Sequence, residues 1–152
     1  MLRLQRLIAA IWLGSAVFLM LAASAAFRAA GNPTVAADVV GSMLTRWHYI
    51  SLAAPLLLFA IEMRRVRRFV LVVLFACILL GAAQSFVDLR IRAIRASSSI
   101  SISELDRTDP VRRSFGALHG LSMLLLLLQA VGAAVVVASR DVRQHTVPVA
   151  IE

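Results

Sequence analysis

Two histidines, His48 and His119, lie in stretches of the chain that are otherwise strongly apolar. An imidazole ring can ligate a metal or a haem iron, and it can also carry a proton. Because an ionisable side chain inside a bilayer costs free energy, it normally faces the protein interior and has a polar partner there. The two histidines therefore indicate a buried polar site, but they do not identify its ligand.

The composition indicates a membrane protein. Hydrophobic residues make up 61% of the 152 residues, whereas soluble domains contain roughly 45–50%. A chain of this length has room for about four spanning helices of ~20 apolar residues each and for no separate soluble domain. We therefore predict an all-α fold, an integral membrane four-helix bundle, with residues 1–152 forming a single transmembrane domain.

Apolar stretches predict helices at about 7–28, 39–62, 69–95 and 110–139, with a polar loop at 96–109. The tripeptide Thr108-Asp109-Pro110 is typical of a helix start, with a capping side chain followed by proline in the first turn. Asp88 and Arg92 are one helical turn apart, and this spacing predicts an ion pair. The third helix should therefore continue past the lipid.

The net charge of +8 comes from arginine, since the chain has no lysine. The arginines fall at helix ends and in loops, where they bind anionic lipid headgroups, and no basic patch interleaved with aromatic residues predicts nucleic-acid binding. The densest group predicts headgroup anchors at Arg64, Arg65, Arg67 and Arg68. By the positive-inside rule it places both termini of this multi-pass chain in the cytoplasm.

The predicted topology brings polar side chains from three helices to one depth in the membrane. The second and fourth helices enter from the same side, so His48 and His119 should lie at similar levels and face each other. The third helix ends on that side and brings further polar groups. We predict His48 and His119 as cofactor ligands, Met123 as an additional metal ligand, and a supporting polar cluster of Arg46, Ser51, Gln84, Asp88 and Ser122.

Two backbone features accompany this site. Pro55 lacks an N–H group, so it should free the carbonyl of Ser51 one turn below His48. Gly116 and Gly120 form a small-xxx-small pair, which predicts close approach of a neighbouring helix at that point.

Three sequence stretches carry a resemblance to a known family: Ile11-Trp12-Leu13-Gly14-Ser15 with Phe18, Arg46-Trp47-His48-Tyr49, and Phe115-Gly116-Ala117-Leu118-His119-Gly120-Leu121-Ser122-Met123. The chain resembles the bacterial membrane family of unknown function related to transmembrane protein 205, and it is more distantly similar to the copper-resistance membrane domain. The resemblance covers nearly the whole chain and implies a four-helix membrane protein with an intramembrane histidine opening the last helix. Its eukaryotic relatives are associated with tolerance to metal-based drugs, which favours metal handling. The resemblance to a bacterial family also implies that the chain crosses the inner (plasma) membrane of a bacterium several times.

Three functions fit these residues. The histidines bind haem b axially or, with Met123, a copper ion. Alternatively, they belong to a proton or small-solute pathway. The almost wholly apolar cytoplasmic half of every helix argues against this function. In the third case the protein is an accessory subunit of a larger membrane complex, and a hydrogen-bonded histidine network fixes its helices. Soluble-type catalysis is unsupported, because metalloprotease, nucleophile-elbow and phosphate-loop motifs are all missing.

Overall fold

A computed structural model of the chain describes residues 2–64, 67–98, 100–102 and 104–139. These residues form four helices and no strand: α1 (Leu2–Ala29), α2 (Pro33–Met63), α3 (Arg68–Ser97) and α4 (Pro110–Ala138). All four helices are long and apolar enough to cross a membrane. The predicted all-α membrane bundle is confirmed.

The start of α2 differs from the prediction, which placed it at residue 39. The helix begins at Pro33, because the Asn32 side chain caps it by accepting a hydrogen bond from the N–H of Thr34 at 2.8 Å. The same arrangement starts α4, where Asp109 accepts from the N–H of Val111 at 2.7 Å, as predicted. A cap followed by proline therefore identifies both starts, whereas hydropathy misses the more polar first turn of α2.

Each helix packs against two neighbours, because α1 and α3 both contact α2 and α4. The interior of one half of the bundle is filled by large apolar side chains, and many apolar side chains also cover the outside, as expected of a surface that contacts lipid. The fully buried residues with large apolar side chains include one from each helix, which are Trp12, Leu58, Leu74 and Val136. Exposed apolar residues include Phe18, Leu21, Val72 and Leu89.

The closest helix contacts occur at glycines other than the predicted pair. No atom of the described residues outside the local helix lies within 4 Å of a Cβ position built at Gly116 or Gly120. A Cβ at Gly81 would lie 2.8 Å from Cδ2 of Leu52, and a Cβ at Gly132 would collide with Sγ of Cys77. The prediction of close packing at Gly116 and Gly120 is therefore wrong. Close approach occurs where α3 meets α2 and α4.

We expect Gly132→Ala to destabilise the protein by about 1–3 kcal/mol, because the added methyl group overpacks the interface against Cys77. The matched control, Gly120→Ala, adds a methyl group to the same helix where space is open. It should be neutral or stabilise the helix by up to ~1 kcal/mol. Unfolding of the purified variants in mixed micelles measures both effects.

Combining Gly132→Ala with Cys77→Ala supplies the second arm of this test. Shortening Cys77 removes the sulfur that the new methyl group meets, so the double variant should be more stable than the sum of the single effects predicts. Equal stability of Gly132→Ala and Gly120→Ala would contradict the close contact between α3 and α4.

Candidate functional site

A buried histidine contacts a carboxylate at the interface of α2 and α3. His48 Nδ1 lies 3.5 Å from Oδ2 of Asp88, and both residues are buried. Arg92, one turn further along α3, donates to the same oxygen at 2.8 Å. The predicted pairing of Asp88 with Arg92 is confirmed.

Further hydrogen bonds extend this group across three helices. Gln84 Nε2 donates to Oγ of Ser122 at 2.6 Å, and both residues are buried. The Ser51 hydroxyl donates to the backbone carbonyl of His48 at 2.9 Å. In the structure, the polar cluster consists of His48, Ser51, Gln84, Asp88, Arg92 and Ser122. His48 Nε2 and Gln84 Oε1 have no hydrogen-bond partner among the described residues, although buried polar atoms are normally paired.

The second predicted histidine has different surroundings. His119 is exposed on α4 and stacks on Phe115, with ring centroids 6.1 Å apart and an interplanar angle of 3°. The guanidinium carbon of Arg95 lies 5.4 Å from the centroid of the same phenyl ring. Arg46, which we predicted to support the site, is exposed. The contact found for His119 is therefore an aromatic one, and it differs from the contact of His48 with a carboxylate.

A cavity of about 660 Å³ opens beside the polar cluster, between α2, α3, α4 and the loop after α3. We call it the large cavity. Its walls are mostly apolar, and Arg92, Arg95 and Arg112 line it. Both carboxylates in its wall are already paired, because Asp88 accepts from Arg92 and Asp38 lies 3.5 Å from Arg95. Arg112 forms no salt bridge with a described residue.

The loop between α3 and α4 forms one wall of the large cavity. Thr34 Oγ1 lies 3.1 Å from Oγ of Ser101, which ties the loop to the start of α2. Within the loop, the hydroxyl and the N–H of Thr108 donate to Asp106, and these hydrogen bonds lower the pKa of its carboxyl, with a smaller effect from Arg112. Arg112 also donates to a loop carbonyl. Part of the predicted polar loop is therefore a structural element of the site.

A second, smaller cavity of about 240 Å³ lies between α1, α2 and α4, and we call it the small cavity. Its walls are almost entirely apolar and include Met20 and Ala23 of α1. His119 and Met123 line both cavities, so the two spaces adjoin along one face of α4. His48 lines neither of them.

These positions divide the predicted site residues into two groups. His119 and Met123 reach the cavities, whereas His48, Ser51 and Gln84 belong to the interior behind Asp88. Within the part of the chain that the structure describes, no group of three or more His, Cys, Asp or Glu side chains is placed to hold a metal ion. The cofactor role of a His48–His119 pair stays a prediction.

The predicted headgroup anchors also divide. Arg64 and Arg68 are exposed, as anchoring requires, and Arg65 lies outside the described residues. Arg67 instead forms a salt bridge with the fully buried Glu62. Its guanidinium therefore connects the residue before α3 to the end of α2. The prediction of a headgroup anchor did not include this contact.

Sequence reasoning also missed polar side chains in the half of the bundle that it predicted to be apolar. Glu62, Gln5 and Gln129 are fully buried there. The side-chain nitrogen and oxygen of both glutamines lack hydrogen-bond partners among the described residues. Helical periodicity was the available signal, because Glu62 continues the buried face of Leu58 and Gln129 continues the face of Ser122 at spacings of four and seven residues.

Comparison with known proteins finds no match among family models, curated proteins or solved structures. The resemblance to the family related to transmembrane protein 205 therefore stays a prediction. The chain is a multi-pass membrane protein, and its four-helix bundle contains a polar cluster and two adjoining cavities.

Proposed function

We propose that the protein is a membrane-embedded binding protein and that the large cavity is its ligand site. One observation carries this proposal: a cavity of about 660 Å³ combines mostly apolar walls with a few convergent polar side chains. Ligand sites typically measure roughly 300–1,000 Å³ and have this kind of lining. Arg95, Arg112 and His119 are the groups available to orient a ligand.

The polar cluster contributes to this site through one wall. Asp88 and Arg92 line the large cavity, and His48 contacts Asp88 from the interior. His48 is thus a positioning residue, which holds the carboxylate that in turn holds Arg92. This arrangement supports a binding function in which the buried histidine acts indirectly and His119 meets the ligand.

Filling the large cavity tests the proposal. Gly116 lines this cavity and Gly120 does not, yet both have open space around the Cβ position. We expect the wild-type protein, extracted in nanodiscs with its native lipids, to carry a small molecule in stoichiometric amount. Mass spectrometry should show that Gly116→Leu loses this molecule and that the matched control Gly120→Leu keeps it.

Two outcomes contradict a binding function. In the first, Gly116→Leu retains the small molecule as fully as the wild type. In the second, the wild type carries none and instead co-purifies with a larger membrane complex. That result would favour the accessory subunit that the small size and apolar exterior of the chain predict.

A soft-metal site is the second candidate function, and the lining of the small cavity favours it. His119 and Met123 are one turn apart on α4, and Met20 of α1 lines the same space. An imidazole and two thioethers form a donor set that suits Cu(I). In this version Met20 takes the place that sequence reasoning assigned to His48.

Copper titration under reducing conditions, against a chelator, separates these ligand sets. We expect His119→Ala and Met20→Leu each to lower the copper affinity at least tenfold, while folded His48→Ala keeps it. A site lost in His48→Ala would restore the predicted histidine pair. Haem held axially by both histidines would instead give a Soret band that either histidine substitution abolishes.

We further propose that the protein lies in the inner membrane of a bacterium, with both termini in the cytoplasm and with anionic lipids around it. The arginines at the turn between α2 and α3 support this orientation, because Arg64 and Arg68 are exposed near two helix ends. Reporter fusions at each terminus measure the orientation, and a periplasmic signal at either end would contradict it.

A further inference from the structure

The two cavities adjoin and share part of their lining. Phe27, Val40, Leu44, His119 and Met123 line both of them. The large cavity measures about 660 Å³ and the small one about 240 Å³. Side by side they give an elongated space, whose wide end is the large cavity and whose narrow end is the small cavity. A ligand that spans both would pass His119 and Met123 on its way to the space between α1 and α4.

The polar groups are concentrated at the wide end of this site. Arg92 and Arg95 are each paired with a carboxylate there, whereas Arg112 donates to the neutral carbonyl of Leu105. Asp106, the acidic residue that interacts electrostatically with Arg112, is exposed and already accepts two hydrogen bonds from Thr108. A guanidinium carries five N–H donors, so Arg112 keeps donors that can hold an acid group through charge-assisted bonds.

The narrow end has the opposite character. Leu19, Met20, Ala23 and Leu126 line the small cavity, and its few polar groups are Ser24 and the shared His119. Each methylene that a ligand buries there raises its affinity roughly fourfold. The site thus changes from cationic to apolar along its length.

We infer that the ligand is a single-chain amphipathic acid of the fatty-acid type. Its acid group binds Arg112 in the large cavity, and its hydrocarbon chain lies in the small cavity. A single hydrocarbon chain matches the small cavity, which measures about 240 Å³ and is lined almost entirely by apolar residues. This inference rests on the proposed binding function and assigns the ligand class of the same site.

Binding to the protein in nanodiscs of zwitterionic phosphatidylcholine tests the head group. The probes are laurate, dodecanol, which has the same chain without the acid, and inorganic phosphate, which has the charge without the chain. We expect laurate to bind at least tenfold more tightly than dodecanol, and we expect Arg112→Gln to abolish this difference. The matched control is Arg113→Gln, since Arg113 is exposed and does not line the cavity.

Chain-length preference tests the tail. Ala23→Phe fills part of the small cavity, so it should shift the preferred ligand from laurate toward octanoate. Ala25→Phe adds the same ring to an exposed position of α1 outside both cavities and should leave the preference unchanged. A general loss of stability would lower all affinities together and would not shift this preference.

Failure of the inference differs from failure of the proposed function. Equal binding of laurate and dodecanol, unaffected by Arg112→Gln, overturns the assignment of the head group. Displacement of laurate by phosphate without any chain-length effect overturns the assignment of the tail. If no probe binds while Gly116→Leu still releases the native small molecule, the ligand class is wrong and the binding function stands. If that release also fails, both are wrong.

Discussion

We expect Glu62→Ala to destabilise the bundle by about 3–5 kcal/mol. Glu62 is fully buried, and its two carboxylate oxygens accept from Nε and Nη2 of Arg67, the latter at 3.1 Å. The pair closes the turn between α2 and α3. Because the Arg67 side chain is only 21% exposed, removing the carboxylate leaves a guanidinium that water compensates poorly.

Reversible unfolding in mixed micelles measures this effect against two controls. Glu104→Ala removes an exposed carboxylate from the loop and should change stability by less than ~0.5 kcal/mol. Glu62→Gln keeps the volume and one acceptor oxygen, so its cost should fall between the other two. If Glu62→Ala costs no more than Glu104→Ala, the buried ion pair does not stabilise the turn.

Asp88→Ala should be the second most damaging change, with a cost of about 2–3 kcal/mol. His48 Nε2 already lacks a hydrogen-bond partner among the described residues, and this substitution removes the contact of Nδ1 as well. Water can solvate the released Arg92, whose side chain is 54% exposed. Most of the cost therefore comes from the buried imidazole.

A comparison with Asp38→Ala isolates the effect of burial, because Asp38 also pairs with an arginine but its side chain is 72% exposed. That variant should lose less than ~1 kcal/mol. Adding His48→Leu to Asp88→Ala should recover stability, since neither member of this pair then remains buried without its partner. Equal costs for Asp88→Ala and Asp38→Ala, measured by the same unfolding assay, would contradict this account.

Sequence reasoning succeeded where the interaction is local. The pairing of Asp88 with Arg92 follows from a spacing of four residues on one helix, and the Asp109 cap follows from three consecutive residues. Both depend only on helix geometry, which is the same in every protein. The start of α2 at Pro33 carried the same local signal after Asn32 and was equally predictable.

Contacts between different helices could not be predicted from the sequence. The small size of Gly116, Gly120 and Gly132 suits close helix packing at all three positions. Only Gly132 faces a close neighbour, Cys77. Likewise, His48 and His119 both lie in apolar stretches, yet Asp88 binds the first and Phe115 stacks on the second. Helix rotation and lateral position decide these contacts, and hydropathy does not contain them.

The amino-acid sequence alone determined that the chain forms apolar helices of membrane-spanning length, because backbone groups in lipid must be satisfied within each helix. It also showed that polar residues are rare within these apolar helices, so the few that occur there indicate a candidate site. The packing of the helices was needed to show that His119 and Met123 line two adjoining cavities and that His48 supports one wall through Asp88. These facts depend on which helix faces meet, and packing between distant segments determines that choice.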